Sequence, residues 1–427
     1  MKKNISLFLI LILIMGVVFS AMVVKAGEQV TIRFMGWEAS PLETESVRRG
    51  LERFMADNPG IKVEYTPVPG DYHSKLLTMM AGNAAPDVFF LGSRSYRDFV
   101  NRRVLLDLTN FFDQEYSLNK FVPSDRQKMV VDGKIYGVSS CIVVPQLYYN
   151  KDIFDQAGLA YPPSDPDQAW TWEQFVQAAK KLTIQKGGKT VQYGAYGFEY
   201  MFPLVSLLFS NEARLFNNDF TECVMNNAQV REVLQSVLEL RTKHGVAPEA
   251  SFLEKIGMNS AQMLQTGRVA MIADGSWALQ ELSQMDFPVG IGVLPIFAKP
   301  ATTDFAHLHS VYKGTKHPEA AWKLVSFLSS EWYQLNLIRA GLWLPNRMSL
   351  YTEEGAKQWL NEGVHPANFE EMLTYFSEDI QAYPYIFLTQ KVEDITNDNL
   401  DYYWYDNQPL ERVLATIVED VNKILNK

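Results

Sequence analysis

The sequence predicts an α/β protein of two lobes that meet at a hinge, on three observations. Over residues 29–91, strand-like apolar runs alternate with amphipathic helical stretches in the order β-α-β-α-β, the pattern of a parallel sheet with helices on its faces. The length of 427 residues suits two or three units, each with a core of its own. Between the halves, the turn dipeptide Asp132-Gly133 is followed by the buried-strand run Ile142-Val143-Val144, broken at Pro145. Leu147-Tyr148-Tyr149-Asn150 then reads as a chain leaving one lobe and entering the other.

Each element has its own signal. In residues 29–34, Val30, Ile32 and Phe34 alternate with Thr31 and Arg33, and the strand ends at Met35-Gly36-Trp37-Glu38. Ser40 as N-cap, Pro41 in the first turn and Glu43 reaching back predict a capped helix. Its core stripe is Val47, Leu51, Phe54 and Met55, and Asn58-Pro59-Gly60 stops it. A strand over 61–65, a helix with Tyr72, Leu76, Leu77 and Met80 inward, and a buried strand over 86–91 complete the unit. Ligands of such sheets sit at the carboxyl ends of the strands, here Trp37-Glu38 and Gly92-Ser93-Arg94.

Beyond the hinge, Thr171 caps a helix through Gln174, with Trp172, Phe175, Val176, Ala179 and Leu182 inward. Gly188-Lys189-Thr190 is not a phosphate loop, because Thr183 stands where that motif needs glycine. Val230, Val233, Leu234, Val237 and Leu238 mark a further helix. Gly267-Arg268 turns into a buried strand that opens on Ala273-Asp274-Gly275-Ser276-Trp277. Pro318 starts a helix through Ala321, Trp322, Val325 and Leu328, and an amphipathic helix from Pro409 ends the chain.

A net charge of −10 and a pI near 5.3 argue against a nucleic-acid partner, which would need a basic face. Aromatic residues make up 13%; most serve the cores, and a minority on a cleft would stack on the apolar faces of sugar rings. Lys2-Lys3, the apolar run 5–19 and Val24-Lys25-Ala26 predict a cleavable signal peptide over 1–26, with an uncleaved anchor as the alternative. Removing its three lysines and no acid would take the net charge from −10 to −13. No cysteine stands at the cleavage point, so lipid anchoring by that route is not expected, and the mature chain is expected in the periplasm. Cys141 and Cys223 would allow one disulfide there, a question left open.

Several segments, in order, resemble the extracellular solute-binding proteins of ABC importers, in the carbohydrate-binding group that includes maltose-binding proteins. They are Phe54 with Asn58-Pro59-Gly60-Ile61-Lys62-Val63, Met80-Ala81-Gly82 with Ala85-Pro86-Asp87-Val88, residues 132–137, and Tyr149-Asn150-Lys151-Asp152 with Phe154. Ala157-Gly158-Leu159, Pro162-Pro163, Thr171-Trp172-Glu173 and the stretches 267–277, 318–328 and 341–345 continue the series. The resemblance implies a type II periplasmic-binding-protein fold, its two lobes joined by crossings at 141–147, 295–298 and 346–349. Lobe 1 would hold 27–140 and 299–345, and lobe 2 would hold 148–294 and 350–427. It also implies a monomeric receptor that needs no cofactor or metal and does no chemistry, taking a sugar or oligosaccharide and delivering it to a membrane permease.

The candidate ligand-binding residues follow from strand ends and from that resemblance. Trp37 and Glu38 end the first strand, with a core tryptophan as the alternative for Trp37. Ser93 and Arg94 follow the third, where an arginine fork would hold vicinal hydroxyls or a carboxylate, or else form a surface salt bridge. Glu199 and Tyr200 fall in the family's second-lobe loop, or pack. Trp277 would be the stacking platform for a sugar ring and Asp274 its rim partner. Tyr383 and Tyr385 flank Pro384 where relatives place another aromatic, while Tyr402-Tyr403-Trp404-Tyr405 suits packing. Many relatives carry a Gly-Gly loop where this chain reads Thr302-Thr303-Asp304-Phe305, so Thr303 and Asp304 would meet the ligand instead. His307 and His309 share one side of a strand, and two ordinary histidines are preferred to a metal site. Another solute (a polyamine or glycerol phosphate) and a secreted glycosidase using two of Glu38, Glu199 and Asp274 are the alternatives.

Overall fold

The structure, a computed structural model, describes residues 29–112 and 116–426. The expected signal peptide lies outside the described residues. Two sheets organise the chain. In the first, Val30–Trp37 lies between Ile61–Val68 and Val88–Gly92, all parallel. Val88, Phe89, Phe90 and Leu91 are all buried, as a strand covered on both faces requires. Thr303–Val311 adds antiparallel to Val88–Gly92 and to Gly137–Val143. The second sheet is ordered Val289–Gly292, Pro145–Asn150, Val269–Gly275, Lys189–Tyr196, Ile184–Lys186.

Local chemistry explains the element ends. Ser40 Oγ accepts the Glu43 backbone N–H at 3.1 Å and starts the helix Pro41–Asp57. The expected return bond from Glu43 is not formed; its carboxyl turns instead toward the Trp37 side chain and the Ala39 backbone. A full capping box does form at Thr171 and Gln174, heading Trp172–Leu182. Asp132 and Gly133 both take positive φ, the geometry of a two-residue hairpin joining Val130–Val131 to Lys134–Ile135.

The passage between sheets is abrupt. Gly137–Val143 belongs to the first sheet and Pro145–Asn150 to the second, with Val144 alone between them. Ser276 N–H donates to the Val144 carbonyl at 2.8 Å, and the Val144 N–H donates to Ser276 Oγ at 3.3 Å. Residues 293–302 return the chain to the first sheet. Leu344 bridges to Ile142 by a pair of backbone bonds, so a later segment runs beside the first crossing.

The expected assignment of 350–427 to one lobe does not hold. Gln381–Ala382 pairs with the first-sheet strand Thr303–Val311, and Glu393 binds Arg94 of the helix Ser93–Asn101. Asn368, by contrast, donates from Nδ2 to the Ile291 carbonyl of the second sheet at 2.8 Å, and in the final helix, Leu410–Leu425, Asn422 Oδ1 accepts the Cys223 N–H at 2.8 Å. The C-terminal part therefore packs on both sheets. Cys141 and Cys223 are both free and buried. No helix among the described residues is long and apolar enough to cross a membrane.

Candidate functional site

A cavity of about 350 Å³ opens where the strand ends of the two sheets face each other, within the size range of small-molecule sites. The first sheet and its helix contribute Trp37, Ser40, Glu43 and His307. The second contributes Asp274 and Trp277, joined by Ser260, Gln280 and Glu281 from the helices beside it, and Trp343 comes from the segment next to the crossing. Ser40 Oγ and Gln280 Oε1 lie 3.0 Å apart across the rim, so the two sides touch there.

Trp37 sits at the end of its strand, packed edge-on against Tyr72, Phe90 and His307. His307 in turn meets Trp343 edge-on, ring centroids 4.8 Å apart. Burial pulls the His307 pKa down to about 3, so the imidazole is neutral at ordinary pH. Trp277 is 41% exposed. One face stacks on Phe202 at 5.5 Å between centroids, and Phe202 stacks on Phe305 of the first sheet at 4.1 Å. Gly275 makes this possible: a Cβ there would stand 2.4 Å from the Trp277 ring. Asp274 accepts a bond from Ser260 Oγ, and its Oδ1 accepts the Gly275 N–H at 2.7 Å. Burial raises its pKa, and those bonds partly offset the rise.

Glu43 lies deepest. It is 2% exposed, its Oε1 has no hydrogen-bond partner, and burial lifts its pKa to about 7 against the smaller opposing effects of Trp37 and the Ala39 backbone. Gln280 Nε2 and His307 Nδ1 are likewise buried and unpartnered. Buried polar atoms in proteins are nearly always satisfied, so three orphans around one cavity point to a polar ligand. Glu43, Asp274 and Glu281 are acids, and no lysine or arginine is among the described residues of the lining.

Of the residues singled out in the sequence, Trp37, Asp274 and Trp277 come together here. The others are placed elsewhere. Ser93 is buried, its Oγ accepting the Ala306 N–H at 3.2 Å. Arg94 is engaged by Glu393 at 2.6 Å and lies over the Phe305 ring. Thr303 is buried against Ser206. Asp304 is buried and held by Lys128 and by Ser124 Oγ, so both side chains serve the interior rather than a ligand. Tyr383 and Tyr385 are buried too: Tyr383 donates to Glu393 Oε1 at 2.8 Å, and Tyr385 packs edge-on against Phe216. Neither can offer a free face. Glu38 is half-buried beside Trp37 outside the lining. Half-buried Glu199, its pKa raised by burial, and exposed Tyr200, bonded to the Tyr196 hydroxyl, also lie outside the lining. Half-buried His307 and buried His309 lie among aromatic rings, and no cluster of three or more metal-ligating side chains occurs among the described residues.

The bacterial extracellular solute-binding protein family matches residues 40–334, well over half of the chain. The chain belongs to that family. Among solved structures, this binding protein is similar to an ABC substrate-binding protein from Listeria monocytogenes in complex with cycloalternan. They share 25% identity with a TM-score of 0.81, over 93% of this chain and 99% of the other. The maltose-bound MalE3 of T. maritima matches at 23% identity and a TM-score of 0.75, over 92% and 99% of the two chains. These confirm the two-lobed α/β fold. The multiple sugar-binding protein of Streptococcus mutans is 22% identical over 71% of this chain and 72% of its own.

Sequence reasoning missed Glu43, Gln280, His307 and Trp343 as parts of the binding protein's cavity. Glu43 has the spacing of a helix-capping residue, which masks its place in the cavity, and Trp343 stands between Gly341 and Pro345, beside a crossing. Gln280 carries no signal.

Proposed function

We propose that this binding protein captures an uncharged sugar or oligosaccharide between its lobes and delivers it to the permease of an ABC importer. The observation that carries the proposal is the lining itself: Trp37 and Trp277, with buried Trp343 behind them, stand beside unpaired acceptor and donor atoms, with no lysine or arginine among the described residues of the lining. Sugar rings present apolar C–H faces that stack on indole and rims of hydroxyls that need donors and acceptors. A phosphate or carboxylate would find no cation among those described residues. The names of the relatives, which include sugar-binding proteins and complexes with cycloalternan and maltose, support the same substrate class.

Binding would close the lobes about the crossings at 141–147, 295–298 and 346–349, and the permease would read the closed form. No bond of the ligand would be broken. The chain would act as a monomer outside the cytoplasm, in the periplasm, after cleavage of a signal peptide over 1–26 and without a lipid anchor. The acids and rings of the lining also suit a polyamine. A thermal-shift screen of the mature chain against neutral oligosaccharides, polyamines and phosphate esters separates these, because a bound ligand stabilises by mass action. A shift with oligosaccharides is expected. A shift with polyamines alone overturns the sugar reading, and consumption of the oligosaccharide during incubation reinstates a glycosidase.

A further inference from the structure

We propose that Glu43 is the specificity-determining residue of this cleft, its carboxyl taking a hydroxyl of a neutral sugar and excluding sugars that carry an acid group. The proposal rests on the sugar reading above. The three acids of the lining differ in what they have left to offer. Glu281 is exposed, so water screens it. Asp274 is already bonded to Ser260 and to the Gly275 amide. Of the three, Glu43 alone is buried with an unpartnered oxygen: its carboxyl turns toward Trp37 and the Ala39 backbone, but Oε1 is left without a hydrogen bond. An unsatisfied buried acceptor costs stability wherever it stands, so a ligand hydroxyl that completes it gains more than the same bond made at the surface.

The donor counterpart is Gln280 Nε2, on the opposite side of the cavity. A sugar carries groups that both donate and accept, so one ligand can satisfy both sides. A uronate is disfavoured: its carboxylate would enter beside Glu43 and Asp274 with no arginine or lysine among the described lining residues to compensate, and would drive Glu43 to take up a proton instead of releasing one.

The chemistry has a signature apart from affinity. Tyr65, Tyr333 and Cys141 are the titratable groups that interact with Glu43 from the surrounding elements, and burial raises the pKa of each, so none ionises near neutral pH. His307 stays neutral. Glu43, with its pKa lifted to about 7, is half protonated there. A hydroxyl donated to the carboxylate favours the ionised form, so binding at pH 7 should release up to about half a proton.

Titration calorimetry of the full mature chain against maltotriose, mannotriose, arabinotriose and trigalacturonate, in two buffers of different ionisation heat, tests the inference. Wild type is expected to bind at least one neutral trisaccharide with proton release and to bind trigalacturonate at least tenfold more weakly. Glu43→Gln should weaken the neutral ligand about tenfold, abolish the proton release and narrow the gap to trigalacturonate, with its unfolding midpoint at pH 5.5 showing that it is folded. Asp274→Asn should leave the proton release in place. Unchanged binding by Glu43→Gln, no proton release in wild type, or equal affinity for trigalacturonate would each overturn the role of Glu43 while leaving a sugar receptor. Binding to none of the neutral ligands overturns the sugar reading itself, and this inference with it.

Discussion

Replacing Trp277 by alanine removes the most exposed aromatic side chain of the lining. The indole is 41% exposed, with one face spent on Phe202. A tryptophan offers roughly 250 Å² to its surroundings, so about 100 Å² is left for a ligand. At about 25 cal/mol per Å², covering that area contributes about 2.5 kcal/mol, or roughly 60-fold in Kd. The fold should lose less, because the side chain is only partly buried and the Phe202–Phe305 stack stays in place. Calorimetric titration with whichever oligosaccharide shifts the melting curve, paired with the melting temperature of the free variant, measures both. A change in Kd below about threefold, with the variant folded, would refute the platform argument.

Other changes probe the supports of the site. Gly275→Ala places a methyl group into the Trp277 ring, and overpacking of this kind costs about 1–3 kcal/mol; a chemical denaturation curve reads that cost, and affinity should fall as the indole is displaced. Lys128→Met leaves Asp304 and Asp125 without their buried partner, and urea unfolding should show a loss of about 3–5 kcal/mol. Glu43 predicts a pH effect on the free protein. Its pKa is raised from 4.5 to about 7 in the fold, so the folded state holds that proton more tightly than the unfolded chain. This contribution is complete below pH 4.5 and is lost as the pH rises through 7, a difference of about 3 kcal/mol. Melting scans from pH 5 to 8 should show wild type losing stability relative to Glu43→Gln; parallel curves would contradict the burial of that carboxyl.

The first sheet was legible because its signals are local. Alternation at Val30, Ile32 and Phe34 and the buried run at Val88 to Leu91 each specify a strand without reference to distant residues. Trp37, Asp274 and Trp277 were legible for a related reason: a residue at the carboxyl end of such a strand sits at the cleft wherever the rest of the chain goes. Thr303, Asp304, Tyr383 and Tyr385 failed because their surroundings are set from far away. Asp304 is paired with Lys128, 176 residues earlier, and Tyr385 lies against Met225, 160 residues earlier. Composition places aromatic residues and acids near a cleft but does not say which of them the interior will claim. The C-terminal segment was hardest, since it packs on both sheets by turns.

The two bonds between Val144 and Ser276 join the lone residue between the sheets to the neighbour of Trp277. In the proposed closure, the platform therefore stands almost on the pivot. Rotation displaces an atom in proportion to its lever arm, so Trp277, one residue from that contact, would stay nearly still as the lobes turn. A ligand could then settle on a fixed floor before the opposite jaw arrives, and the bond between Ser40 and Gln280 would serve as the latch that marks the end of the stroke.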